Sequence, residues 1–499
     1  MFKRLLIANR GEIAVRVIRA CREMGISPVA VYSDVDANAL HVRMADAAYS
    51  IGPAPATESY LRIDRILDAA RRAGAEAIHP GYGFLAENAA FAEACGDAGV
   101  TFVGPPPQAM RDLGLKTEAR KLMRAAGVPV VPGTLEPLED AAEVRAAAEE
   151  VGFPVALKAV AGGGGKGLRM VHDPAQLESA FRQAMSEAGA AFGDASVYLE
   201  RAIERPRHVE VQILADTHGH CVWLGERDCS LQRRHQKVLE ESPSPSVGAE
   251  LRERMGEVAV RAAQAAGYTN AGTVEFLLAP DGNFYFLEVN ARLQVEHPVT
   301  EEVTGMDLVR EQIRVACGEP LGYDQASIQR HGYALECRIY AEDAAAGWVP
   351  STGRLVGYRP PSGPGVRVDS GVEENAEISV FYDPMIAKLI VRAADRQQGL
   401  DRMARALREF LILGVRTSVP MHLWLMANPA VRSGDVDTGW LEREWRTPPA
   451  PEDGVVRAAV AAVLLSDGRR GVAEPAASNG EAAPRMSAWR SAARRAALQ

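Results

Sequence analysis

Short apolar runs and helix-spaced apolar stripes take turns along the first hundred residues. Arg4–Ala8 reads as a strand, and Glu12–Met24 as a helix with Ile13, Val17, Ile18 and Cys21 on one stripe. Gly25 closes that helix, because glycine accepts the left-handed conformation common at helix ends. Pro28–Tyr32 and Ala75–His79 read as further strands, the second running into the turn His79-Pro-Gly-Tyr-Gly83. This alternation predicts a doubly wound, nucleotide-fold-like domain over residues 1–113. Its first strand–helix turn, Asn9-Arg10-Gly11, lacks the glycine fingerprint of a dinucleotide site.

A helix follows Thr117, and the proline-punctuated Val128-Pro-Val-Val-Pro-Gly133 opens a smaller unit. That unit reads as strand Pro154–Val160, a glycine loop, strand Leu168–His172, helix Pro174–Ala188 and strand Ser196–Arg201. From about Pro206 to Arg338 strand patterns predominate, with helix Leu308–Cys317 near the end. Residues 339–447 look mixed and carry helix Gln397–Phe410. The expected fold is α/β and α+β multidomain, with segments 1–113, 114–330 (the smaller unit at about 132–203), 331–447 and 448–499. The last segment reads as a helix over Gly454–Leu465, a flexible linker and a short basic helix; residues 485–499 hold four arginines and no acid.

Composition narrows the class. A 499-residue chain that is 47% hydrophobic and 24% charged suits a soluble α/β enzyme of about three domains. A net charge of −9, with scattered basic residues, argues against a general nucleic-acid binder. Six cysteines without a CxxC pair suit a reduced cytoplasmic setting. The opening apolar run is too short for a signal peptide, and no window approaches the ~18 apolar residues of a membrane span.

The densest chemistry lies in 273–297. Two β-rich runs flank Asp281-Gly282, the preferred loop of a two-residue hairpin, which would face Pro280 with Asn283 and Glu275 with Glu288. Asn290 then shares a face with Glu288. Two carboxylates about 5 Å apart repel by roughly 3 kcal/mol at an effective dielectric near 20, so a cation between them is favoured. Two carboxylates and an amide oxygen suit magnesium. The same spacing also fits an edge hairpin with both acids in water.

Gly162-Gly-Gly-Gly-Lys-Gly167 is followed by a strand instead of a helix, and Gly167 stands where a Walker A loop needs Ser or Thr. It reads as a phosphate-covering lid, with Lys158 on the incoming strand and Lys166 in the loop; the bland alternative is a mobile surface hairpin. Pro206–Gln212, Cys229–Lys237 and Asn290–His297 add polar groups. Among these, Arg292, Lys237 and Arg338 could hold an oxyanion, while Glu296 offers a base. Each residue taken singly also fits a surface ion pair.

These blocks, with Leu6–Ala14, His79–Asn88, Arg205–Glu210 and Glu226–Ser230 in the same order, resemble the biotin carboxylase family of ATP-grasp enzymes from Met1 to about Trp445. The resemblance makes 1–113 the N-terminal domain, 114–330 the ATP-grasp domain with its lid, and 331–447 the C-terminal domain. It implies that ATP and bicarbonate form carboxyphosphate, which yields carbon dioxide and phosphate, and that biotin N1 is carboxylated. By the same resemblance, Lys116, Lys158, Glu200 and the loop Gly163, Gly164, Gly165, Lys166 and Gly167 contact ATP. His208 and His235 match further active-site positions. Glu275 and Glu288, with Asn290 beside them, would hold Mg2+ or Mn2+. Lys237, Arg292, Gln294 and Val295 would bind bicarbonate, and Glu296 would deprotonate it. Arg338 would stabilise the enolate oxygen of biotin, whose ring lies against Tyr82.

One departure is Arg201 where a lysine is common. No Met-Lys-Met biotinylation motif occurs, so the implied partners are a separate biotin carboxyl carrier protein and carboxyltransferase subunits, with the enzyme itself a homodimer. Two other readings stand beside this one. A different ATP-grasp ligase would make a carboxylate–amine or carbamoyl product, and a catalytically silent chain would bind ATP only as a scaffold.

Overall fold

Leu5, Leu6 and Ile7 are fully buried because β1 (Arg4–Ile7) is the middle strand of an all-parallel sheet. It is flanked by β2 (Ser27–Ser33) and β3 (Ala47–Gly52) on one side, and by β4 (Ala77–His79) and β5 (Thr101–Phe102) on the other. Strands covered on both faces need continuous apolar runs, which the central strands supply in Leu5–Ile7 and Val29–Val31. The helix after β1 spans Gly11–Glu23 and buries the expected Ile13, Val17, Ile18 and Cys21 stripe. The doubly wound expectation therefore holds. The turns after β1 and β4 lie at the carboxyl edge of the sheet, where such folds place ligands. The structure is a computed structural model and describes residues 1–160 and 167–445.

The smaller unit is a three-stranded antiparallel sheet with β6 (Val155–Ala159) between β7 (Leu168–Val171) and β8 (Val197–Arg201). Helices Ala141–Val151 and Leu177–Phe192 back it, with Val144, Leu157, Phe181 and Leu199 in its core. Four of the expected loop residues, Gly163, Gly164, Gly165 and Lys166, lie outside the described residues, as do the expected tail helices and linker of 448–499.

An eight-stranded antiparallel sheet carries most of the polar side chains of interest. It contains β9 (Arg207–Ala215), β10 (Cys221–Arg233), β11 (Gln236–Ser242), β12 (Asn270–Leu278), β13 (Phe284–Asn290) and β14 (Tyr333–Tyr340), and it ends in strands Met385–Ala393 and Val366–Ser370. Pairing of β14 with β11 makes one continuous sheet on either side of residue 330. The stretch from Pro206 is less purely strand than its pattern suggests. Helix Ala249–Ala265 covers the sheet through Met255, Val258, Ala259, Ala262 and Ala263. Its apolar stripe is mostly alanine, a weak signal. Helices Leu308–Ala316 and Arg396–Glu409 fall within a residue of expectation. Among the described residues no helix is long and apolar enough to cross a membrane, and all six cysteines are free.

Candidate active site

Glu275 does stand opposite Glu288, but not through the expected turn. Ala279 N–H donates to Asn283 O and Gly282 N–H to Ala279 O, so the loop has three residues, with Gly282 at φ +85°. Asp281 accepts from the Asn283 backbone and side chain, which stabilises the longer loop. That turn shifts the register by one, pairing Leu278 with Phe284 and Phe276 with Phe286. A bulge then makes Leu287 the extra residue and restores Glu275↔Glu288 and Thr273↔Asn290. Two irregularities cancel, and both glutamates face one cavity of about 1360 Å³.

Lys237, entering from β11, is the hub of that cavity. Its Nζ donates to Glu210 Oε2 at 2.5 Å, Glu296 Oε1 at 2.7 Å and Glu275 Oε1 at 2.8 Å. Each carboxylate has a second cationic neighbour. Arg227 Nε reaches Glu210 at 2.6 Å, His208 Nε2 lies 3.2 Å from Glu275 Oε2, and Arg338 Nη2 donates to Glu296 Oε2 at 2.9 Å. Burial opposes ionisation of all three acids, but the surrounding cations outweigh it and hold them below the ordinary carboxylate range. Burial also disfavours His208⁺; Glu275 chiefly reverses this and raises the imidazole to about 9. Glu296 is wholly buried, with one oxygen on Lys237 and the other on Arg338, so an acceptor entering the cavity meets an ionised carboxylate clamped between two cations.

The segment after β13 supplies the neighbouring wall. Arg292 Nε donates to Glu87 Oε2 at 2.8 Å, its Nη2 to Asn290 Oδ1 at 2.9 Å and its Nη1 to Gln294 Oε1 at 3.1 Å. Gln294 Nε2 in turn donates to Glu275 Oε1 at 3.0 Å. Glu87 also accepts from Ala291 N–H, tying the His79–Asn88 block of the first sheet to this wall. Tyr82 and Val295 line the same cavity.

At the opposite end β6 and β8 bring Lys158 against Glu200, and Arg120 Nη1 donates to the other Glu200 oxygen at 2.9 Å. Gly133 is required here, because a Cβ would lie 2.3 Å from Leu199 O. Lys116, Gly167 and His235 complete this end of the cavity. Gly167, at φ +75°, begins the return into β7. His235 is exposed in the tight turn between β10 and β11. Burial lowers the Lys116 ammonium, with Glu288 opposing. Glu288 itself is raised, by burial first and then by the charge of Glu275. Among the described residues the Glu288 carboxyl makes no hydrogen bond or ion pair, and the Lys116 ammonium is the main charge favouring its ionised form, so a cation beside it would be favoured.

The sequence alone does not single out Glu210, Arg227, Arg120, Glu87 or Glu240. Strict alternation of His208, Glu210 and Gln212 in β9 was the available signal for the first. Glu240, directly opposite Glu336 across β11 and β14, accepts from Arg338 Nε at 2.6 Å. Burial pushes its carboxyl from 4.5 up to about 7. The unfolded group is deprotonated above about pH 4.5 while the native one keeps its proton, so this residue lowers stability progressively as pH rises towards 7. Relative to the parent, Glu240→Gln is expected to gain up to about 3 kcal/mol between about pH 5 and pH 8. Denaturant unfolding at the two pH values checks this, and a constant difference contradicts it.

A parallel nucleotide-fold sheet, a three-stranded flap and a carboxylate- and cation-lined cavity define an ATP-grasp-type ligase. Three family models match: "Biotin carboxylase, N-terminal domain" over 1–110, "Carbamoyl-phosphate synthase L chain, ATP binding domain" over 116–323, and "Biotin carboxylase C-terminal domain" over 336–443. The chain belongs to the biotin carboxylase family. It is 53% identical to a biotin carboxylase of Nostoc, over 88% of this chain and 99% of that one. It is 52% identical to biotin carboxylase 1 of Bacillus subtilis, covering 89% and 98%. Among solved structures it resembles the biotin carboxylase domain dimer of Hydrogenobacter thermophilus 2-oxoglutarate carboxylase, in complex with MgADP, ADP and bicarbonate. The TM-score is 0.86 and the identity 47%, covering 91% of this chain and all of that one.

Proposed function

We propose that this enzyme uses ATP and bicarbonate to carboxylate biotin carried on a separate carrier protein, in the cytoplasm and as a homodimer. The observation that carries the reading is Glu296, buried and ionised between Lys237 and Arg338 beside the Arg292–Gln294 wall. Lys237, Arg292, Gln294 and the Val295 backbone would seat bicarbonate, displacing part of the hydrogen bonding now shared among them. Glu296 would take the bicarbonate proton, leaving an oxyanion to attack the γ-phosphorus. Arg338, with its planar fork, would bind the negative charge that develops on the ureido oxygen of biotin, the ring resting on Tyr82. Lys116, Lys158 and the 163–167 loop would neutralise the phosphates, with Glu200, His208 and His235 around the nucleotide.

A divalent ion, Mg2+ or Mn2+, fits Glu288, Glu275 and Asn290. Glu288 is a half-buried, raised carboxyl whose shift the Lys116 charge opposes most strongly, and hard oxygens suit either ion. When bound, the ion would neutralise phosphate charge and hold the transferring group in line. Glu288→Gln and Glu275→Gln are expected to raise the Mg2+ concentration needed for half-maximal rate by about tenfold or more, since each removes one charged ligand. Unchanged metal dependence in both variants would contradict the assignment.

ATP cleavage that requires bicarbonate and rises with free biotin tests the reaction class. Cleavage that requires glutamine, an amine or an amino acid instead would point to another ligase. A protein that binds ATP and turns over none of these would be a scaffold.

A further inference from the structure

Lys388 is wholly buried in the largely apolar strand Met385–Ala393, whose other cation, Arg392, is exposed. A lysine is retained in such a place only when its charge is compensated and its hydrogens are used. Its Nζ donates to the backbone carbonyl of Val295 at 2.8 Å. It also lies 3.4 Å from Glu12, 4.0 Å from Asp369 and 5.8 Å from the centre of the Tyr82 ring. Those four contacts come from four parts of the chain: the segment after β13, the first turn of helix Gly11–Glu23, strand Val366–Ser370 and the turn after β4. Close approach of the strand and helix depends on Gly371, where a Cβ would lie 2.5 Å from Glu12 N.

We infer that Lys388 is a positioning residue for both small substrates, holding the Val295 peptide for bicarbonate and the Tyr82 ring for biotin. The inference rests on the function proposed above. Val295 sits between Gln294 and Glu296, whose side chains reach Glu275 and the Lys237–Arg338 pair. A carbonyl pinned from behind fixes the orientation of the peptide linking the anion wall to the base. A charge-assisted hydrogen bond to a buried carbonyl is worth roughly a tenfold change in an equilibrium when lost. The nucleotide end draws on Lys116, Lys158 and Glu200, none of which touches Lys388, so its effect is confined to the bicarbonate and biotin ends.

The test uses the full-length protein with three variants: Lys388→Arg, Lys388→Met, and Lys388→Met combined with Glu12→Gln, which leaves no orphaned Glu12 carboxylate. KM values for bicarbonate, free biotin and ATP are measured with kcat. The expected result in the double variant is a rise of about tenfold in KM for bicarbonate and a rise for biotin, with KM for ATP within about twofold. Lys388→Arg, which keeps charge and donors, should recover part of the bicarbonate affinity. If Lys388→Met alone does not fold, the double variant and Lys388→Arg carry the test. Equal loss of kcat with unchanged bicarbonate and biotin KM, or a matching rise for ATP, would overturn the inference as merely structural. A parent enzyme without bicarbonate-dependent ATP cleavage would instead overturn the proposed function, and this inference with it.

Discussion

Glu296→Ala is expected to lose about 10²- to 10⁴-fold in kcat with the fold retained, because it removes the carboxylate proposed to take the bicarbonate proton between two fixed cations. In the parent, Glu296 accepts from both Lys237 and Arg338. Both cations keep a second acid in the variant: Glu210 and Glu275 for Lys237, and for Arg338 Glu240, which ionises more readily once the Glu296 charge that raises its carboxyl is gone. ATP binding draws on groups at the other end of the cavity and should change little. Steady-state rates at saturating ATP and bicarbonate, with nucleotide affinity measured separately, check both halves. A variant that keeps its turnover would remove Glu296 from the chemistry.

Lys237→Met has the larger structural consequence. One ammonium serves three buried carboxylates, and deleting it leaves Glu210, Glu275 and Glu296 facing one another with only their secondary cations. Removal of one partner from a buried charge cluster costs about 3–5 kcal/mol. Turnover should also fall, since the same ammonium would hold bicarbonate. Denaturant unfolding should show the drop, and it should shrink as pH falls far enough for the three acids to protonate. A loss below about 0.5 kcal/mol, the size of a surface pair, would mean the cluster is solvated in solution.

How legible this arrangement was depends on the kind of interaction. The first sheet and its helix follow directly from apolar periodicity, because the strands are covered on both faces and one helix face is dry. The sequence pattern predicts the opposition of Glu275 and Glu288 through a two-residue turn that the molecule does not use. That opposition survives only because the longer loop and the Leu287 bulge each displace the register by one, in opposite senses. Local pattern does not reveal such compensation, since bulges answer to packing across the sheet. Motif resemblance picked out Lys237, Arg292 and Arg338 as cations for a substrate. What it did not reveal is that each is engaged by acids in this structure: Glu210, Glu87 and Glu240. Those acids are 27 to 205 residues away in sequence, and no local rule links them. Lys388 is the opposite case. A single lysine in Met385-Ile-Ala-Lys-Leu-Ile-Val is visible to anyone reading for buried charge, and only its partners needed the fold.

In the proposed reaction, Glu296 and its cations serve transfer of bicarbonate carbon to biotin at the expense of ATP. Incubation with isotopically labelled bicarbonate, ATP, Mg2+ and free biotin, followed by quantification of labelled carboxybiotin against ADP, tests it most directly. Label in biotin that tracks ADP formation, and that disappears with Glu296→Ala, is the predicted result. ADP formation with no label in biotin, or labelled biotin undiminished by Glu296→Ala, would contradict the account.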